Sequence, residues 1–426
     1  MSESLAQSRD ASSRPEVDLL LCCARTQITA EISDRIRAVV RNEVDWMALI
    51  RTAMRHEVMP LLYRSLQQVC PNSVPENILG PLRARYDLQT AQARRRAEEV
   101  VRILPLLEDH GVIAVPYKGP ALAQRLYGDL SLREFGDLDI MMLERDVPKA
   151  QDLIRRLGYE FACLKDTSKL AEYVRNNREL QFYHPADGTR LELHWRFAMR
   201  LACVKQDPGR FLQRLEMIWL AGAQVPSLPL EVYFLILSLH ATKHKWRQLK
   251  LICDIAEILG RGDVDWRYVL READDLNLKR MLAVGTLLAE NPLGVAIPTE
   301  LAQGLKFDHT ARTLAAEVRR SLFEEPDEDW HEQADFPFQL KIRERLRDKA
   351  NMLYRNLPSK LAPDERDREF LQIPDILSPM YTLLKPIRWA WEEMSDRWAA
   401  ARLPRKLQLA SQAIDEIAES GASERR

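Results

Sequence analysis

The chain has 426 residues, with 62 basic and 63 acidic side chains, a formal net charge of -1, 46% hydrophobic and 29% charged residues. Such a chain is too apolar to be disordered and long enough for two or three domains with substantial cores. The charge balance excludes a global pull towards nucleic acid or anionic membrane and leaves room only for a local basic cleft.

With 15 glycines and long stretches of helical spacing, the composition leans towards helix. Residues 1–16 read as a polar, flexible tail without the apolar core of a secretory signal. Residues 17–111 form an N-terminal helical region. Within it Trp46, Leu49, Ile50, Ala53 and Met54 recur at helical spacing, and Pro60 starts another helix. A long amphipathic helix is expected from Pro81 to His110, stopped at Gly111.

The pattern changes at 112–228, which reads as a mixed α and β core. Val112 to Tyr117 suits a buried strand, followed by Lys118-Gly119-Pro120 and a helix from Ala121 to Tyr127. A loop over Gly128 to Gly136 leads into the alternation Asp137-Leu138-Asp139-Ile140-Met141-Met142. Val147 to Leu157 reads as a helix closed by Gly158, and Tyr159 to Cys163 as a further strand. Leu180 to His184 and Arg190 to Trp195 flank an Asp187-Gly188 turn and predict a hairpin.

Residues 229–426 read as a C-terminal helical domain. Glu231 to Leu259 is one helix or two abutting ones, ended by Gly260. Residues 324–336 form an acidic loop, and prolines at 358, 363, 374 and 379 precede a last helix over 384–416. Its Trp389, Trp391 and Trp398 are expected in a core rather than at an interface. The six cysteines form no C-x-x-C pair and suggest neither a zinc ribbon nor a disulfide framework. No run approaches the ~20 apolar residues of a membrane span, so a cytoplasmic location is expected.

The most informative residues are Asp137 and Asp139. Two apart on a strand, they project from one face while Leu138 and Ile140 face a core. Paired carboxylates repel unless a cation sits between them, and magnesium, which takes oxygen ligands and phosphates together, is the usual partner. An exposed edge strand with two charges is the plainer alternative. Context favours the metal. Upstream, Gly119 permits close backbone approach at a helix N-terminus that suits phosphate, with Lys118, Arg125 and Arg133 as further cations. Downstream, Glu192 lies on a strand able to bring a third carboxylate beside the pair.

These residues also carry a family resemblance. Tyr117-Lys118-Gly119-Pro120-Ala121-Leu122, then Leu126-Tyr127, Leu132-Arg133 and Gly136-Asp137-Leu138-Asp139-Ile140, resemble the uncharacterised bacterial nucleotidyltransferase family of the polymerase-β-like superfamily. Leu191-Glu192-Leu193-His194-Trp195 is similar to its third motif. Trp46, Ala53, His56 and Pro60-Leu61-Leu62 upstream fit the flanks, as do His240, His244, Trp246, Leu249 and Asp254 downstream, and Leu377 to Trp389 looks like its C-terminal segment. The resemblance implies an α+β fold, a polymerase-β-like core of a small mixed sheet with helices, flanked by helical regions. It implies magnesium or manganese held by Asp137, Asp139 and Glu192. An NTP donor, by default ATP, would be bound through Lys118, Gly119, Arg133 and Gly136. It further implies transfer of a nucleoside monophosphate to an acceptor hydroxyl with release of pyrophosphate. One departure is Gly119-Pro120 where many superfamily members have Gly-Ser, which removes a hydroxyl from the phosphate turn; within the narrower family Lys-Gly is the expected pair.

The acceptor stays open between sugar, glycan, peptide and protein, with no clear nucleic-acid signal. Two other readings keep the same residues: a non-catalytic nucleotide-binding or assembly module that retains the fold, and a metal-dependent phosphohydrolase. Spaced four apart on one helix face, His240 and His244 lack the glutamate and third ligand of a zinc site. They fit either a packed helix or the far wall of the cleft, with Asp254 on a similar side. His194 shares a strand face with Glu192, where it either tunes that carboxylate or packs.

Overall fold

Among the described residues, five α-helices precede the first strand. They are α1 (Pro15–Cys23), α2 (Ala30–Val40), α3 (Trp46–Arg55), α4 (Met59–Val69) and α5 (Glu76–Asp109). The computed structural model describes residues 14–162, 167–197, 209–324 and 336–361. Side chains of Thr29 and Asp45 accept from the Ile32 and Ala48 amides at 3.3 and 2.9 Å, satisfying donors that the first turns of α2 and α3 would otherwise leave open. Helix α5 begins five residues before Pro81 and runs through both Pro81 and Pro105. Each proline removes one backbone bond, and the buried stripe Ala97, Val100, Ile103, Leu104 and Leu107 outweighs those losses.

Next come β1 (Ala114–Pro116), α6 (Gly119–Tyr127), β2 (Asp137–Met142), α7 (Val147–Arg156), β3 (Glu160–Phe161), α8 (Leu170–Asn176), β4 (Glu179–Tyr183) and β5 (Arg190–His194). The strands form one mixed sheet in the order β1-β2-β5-β4-β3. Only β2 and β5 run parallel, with Asp139 opposite Glu192 and Asp137 opposite Arg190. The expected hairpin is present, β4 pairing antiparallel with β5 and placing Gln181 opposite Glu192 and Glu179 opposite His194. Leu138, Ile140, Leu191 and Leu193 point away from the carboxylates into a core shared with α5 and α7. This is the α+β fold with a small mixed sheet and flanking helices that the residues implied.

A short helix, α9 (Gly209–Leu212), leads to a second, two-stranded sheet of β6 (Glu216–Leu220) and β7 (Ala223–Ser227), which is not among the expected elements. Its signal was present: Ile218, Leu220 and Val225 alternate into the sheet core, while Met217 and Trp219 point outwards, around an Ala221-Gly222 turn.

Helices α10 (Leu230–Lys243) and α11 (Leu249–Leu259) resolve the choice left open for 231–259 in favour of two elements. Lys245 and Trp246 take positive φ between them, which turns the Trp246 indole fully inwards. It packs on Gly285, where an added Cβ would meet the ring at 2.5 Å. The break places His240 on α10 and Asp254 on α11. After these come α12 (Trp266–Leu276), α13 (Lys279–Leu293), α14 (Thr299–Gly304), α15 (His309–Ser321), α16 (Phe336–Ile342) and α17 (Leu346–Leu361).

The chain divides into a unit of residues 1–349, which carries both sheets, and a unit of residues 350–426, whose described part is the continuation of α17. Most of the expected acidic loop, Cys163, Cys203, and the last helix with its three tryptophans lie outside the described residues. Among those described, no helix is long and apolar enough to cross a membrane.

His56 ties the N-terminal helices to α11. Fully buried at the end of α3, its Nδ1 accepts from the Leu249 amide at 3.1 Å and its carbonyl accepts from the Lys250 amide at 3.2 Å. An accepting Nδ1 requires a neutral ring, and burial, aided by the Arg55 charge, lowers its pKa to about 4. Between that value and the unfolded pKa of about 6.5, the unfolded chain binds the extra proton and the folded chain does not. The His56 contribution to stability is therefore complete above pH 6.5 and falls as pH drops through this window, by on the order of 3 kcal/mol at its lower end. Melting temperatures measured from pH 7 to 4.5 should fall less steeply for His56→Asn, which keeps an acceptor but no titratable ring.

Candidate active site

The turn from β1 into α6 crosses the start of β2 at close range. The Tyr117 amide donates to the Asp139 carbonyl at 3.1 Å, which extends the β1–β2 ladder by one bond. Lys118 then occupies the N-cap position of α6, and Gly119 takes φ +56. A Cβ on Gly119 would lie 2.9 Å from the Asp137 carbonyl oxygen, a backbone atom that cannot move aside cheaply. Glycine is thus required twice, by its conformation and by the approach. Gly136, also expected to serve the ligand, is different: an added Cβ would meet nothing within 4 Å.

Lys118 turns back over β2, its Nζ 3.3 Å from Asp139 Oδ1. The same oxygen lies 2.9 Å from His194 Nε2, which is also 3.1 Å from Glu192 Oε2. Behind the imidazole, His194 Nδ1 is 3.5 Å from Glu179 Oε2. Gln181 Nε2 donates to Glu192 at 3.0 Å and to Glu179 at 3.2 Å, tying these carboxylates together. Glu179 and Gln181 were not singled out from the sequence. The hairpin register carried the signal, because alternate residues of β4 face the same side as Glu192 and His194.

Burial makes this cluster electrostatically demanding. Desolvation opposes charge on Asp139, which is 3% exposed, but the Lys118 ammonium and His194 outweigh it and hold its carboxyl well below the usual carboxylate range. Asp137 is shifted the other way, raised by burial and then by repulsion from Asp139 and Glu192. Burial disfavours a charged His194, yet its bonds to Asp139 and Glu192 keep its pKa above the ordinary value. Asp137, Asp139 and Glu192 thus crowd their carboxylates together, with Lys118 as the nearby ammonium. Oxygen donors with one imidazole form a set that a divalent cation accepts. Among the described residues, the group able to hold a metal ion is Asp139, Glu192 and His194, with one ligand atom each and all within 4.8 Å of one another. Asp137 precedes Asp139 on the same strand face and lies outside that group.

Two expected cations are engaged elsewhere. Arg125 pairs with Glu216 on β6. Arg133 sits in the loop before β2 and holds Asp254 bidentately, Nε to Oδ1 at 2.8 Å and Nη2 to Oδ2 at 2.9 Å. The Tyr127 hydroxyl donates to the same carboxylate at 2.8 Å. With Asp254 at 0% and Arg133 at 6% exposure, this is a buried anchor between the loop and α11.

His240 and His244 stack edge to face, with centroids 4.7 Å apart. Burial holds both towards the neutral form: it lowers His244 to about 4, helped by the Lys243 and Lys118 charges, and it lowers His240, helped by the Lys118 and His244 charges. Neither histidine belongs to the metal-competent group found among the described residues.

Residues 42–294 match the model of a family described as uncharacterised nucleotidyltransferases, a span that runs from just before α3 to the end of α13. The match covers more than half of the chain, which therefore belongs to that family. No curated protein and no solved structure matches it.

Proposed function

We propose that this chain transfers a nucleoside monophosphate from an NTP, by default ATP, to an acceptor hydroxyl, with a divalent cation held at Asp139 and Glu192 beside Asp137. The observation that carries this reading is the parallel register of β2 and β5, which sets Asp139 opposite Glu192 where the Lys118-Gly119 turn crosses the strand. A bound magnesium or manganese ion would neutralise phosphate charge and polarise the reacting oxygens.

The chain's own groups do the rest. The first amides of α6 and the Lys118 ammonium bind and orient the triphosphate, standing in for the hydroxyl that Pro120 does not offer. Glu192 takes the proton of the acceptor hydroxyl as it attacks the α-phosphorus, and pyrophosphate leaves in line. Arg133 keeps its loop docked through Asp254 and positions Asp137 rather than touching phosphate. The acceptor class is a sugar, glycan, peptide or protein, and the family membership does not choose among them.

The test is to incubate the chain with each α-phosphorus-labelled NTP, a divalent cation and fractionated acceptor pools of these four classes. The reading expects label to move onto one pool in step with pyrophosphate release. Release of labelled nucleotide alone would indicate a phosphohydrolase, and no turnover in any pool would favour a binding module.

A further inference from the structure

The functional reading assigns the cation to carboxylates alone, yet the residue at the centre of the cluster is an imidazole. His194 is 3% exposed, and its Nε2 lies between Asp139 Oδ1 and Glu192 Oε2 at 2.9 and 3.1 Å. Donor atoms at right angles around a six-coordinate ion with bonds of about 2.1 Å stand about 3.0 Å apart. Without a metal these are hydrogen-bond distances, with the Nε2 proton between the oxygens; an ion that displaces this proton finds the nitrogen already at the spacing that neighbouring ligands of one ion adopt. The opposite face of the ring is also provided for. Nδ1 faces Glu179 at 3.5 Å, and Glu179 is itself held by Arg178 at 2.7 Å and by Gln181 at 3.2 Å. At 3.5 Å this is proximity rather than a hydrogen bond, and a small closure would let Glu179 accept from Nδ1, which fixes the tautomer and leaves the other nitrogen for a metal. Tyr117 closes a further side of the ring edge-on at 5.2 Å.

We infer that His194 is a direct ligand of the metal, completing a preformed site of two carboxylate oxygens and one nitrogen, with Glu179 as its positioning residue. An imidazole ligand favours transition ions over magnesium, because magnesium prefers oxygen and gains little from nitrogen. The site is thus built to take Mn2+ in preference to Mg2+. This inference rests on the proposed metal-dependent reading for its context, but its test does not use turnover.

The full-length chain, without nucleotide, is titrated with MnCl2 and separately with MgCl2. Bound Mn2+ is then examined by electron spin echo modulation for nitrogen coupling. The expected result is Mn2+ uptake at least about tenfold tighter than Mg2+, with coupling from one directly bound nitrogen. His194→Ala should abolish the coupling. Glu179→Gln should weaken Mn2+ by about 10- to 100-fold while leaving Mg2+ within a few fold. Mn2+ bound without nitrogen coupling in the wild type, or no Mn2+ uptake, would overturn the inference whatever the variants do. Nitrogen-coupled Mn2+ without NTP binding would keep the inference and remove the functional reading. NTP and metal bound through oxygen alone would do the reverse.

Discussion

Asp139→Asn is expected to lower nucleotidyl transfer by on the order of 10³-fold or more, equivalent to about 4 kcal/mol of transition-state stabilisation. The substitution keeps the shape of the side chain and removes its charge at the point where Lys118 and His194 converge. Because the aspartate carboxyl is held ionised well below its ordinary range, the native site always presents an anion there. The asparagine presents a neutral oxygen to a cation and leaves Lys118 without its ion-pair partner. Steady-state rates of labelled transfer, measured beside a circular dichroism melt, separate loss of chemistry from loss of fold. A variant that melts normally and transfers at more than about a tenth of the wild-type rate would remove Asp139 from the reaction.

Arg133→Met should destabilise the fold by about 3–5 kcal/mol, the usual consequence of leaving a buried charge without its partner. Asp254 is fully buried, and Arg133 supplies two of its three hydrogen bonds. The double variant Arg133→Met/Asp254→Leu should recover most of that loss, since a pair of apolar residues of similar volume replaces a desolvated ion pair at little cost. Urea midpoints of the two single variants and the double variant measure this directly. Recovery of stability with continued loss of transfer would locate the function of the pair in positioning the loop ahead of Asp137. Equal stability of Arg133→Met and wild type would contradict the anchor.

The strand face was legible before any coordinates because period-two alternation is a strong local signal. Asp137 and Asp139 read as one face, and an Asp-Gly turn between two apolar runs read as a hairpin, as found. What remained hidden was long-range. Nothing near Arg133 reveals that a carboxylate on α11, 121 residues away, meets it. As a cation between phosphate-binding elements it read as a ligand contact. The histidine helix was undecided for a related reason: helical spacing continues through Lys245 and Trp246, so one helix or two both fitted, and the positive φ of these residues with the Trp246 indole buried against Gly285 gives two, with Asp254 on the second. Glu179 and Gln181 lay between these cases. Their place beside Glu192 follows from the hairpin register, a step that the turn made available.

Calorimetric titration with the four NTPs tests most directly whether a divalent cation at Asp139 and Glu192, beside Asp137, supports an NTP site. Wild type should bind one NTP only when a divalent cation is present, and Asp137→Asn/Asp139→Asn should lose that binding while keeping its melting transition. Failure of the wild type to bind any NTP at millimolar concentration with Mg2+ or Mn2+, or binding that persists unchanged in the double variant, would contradict it.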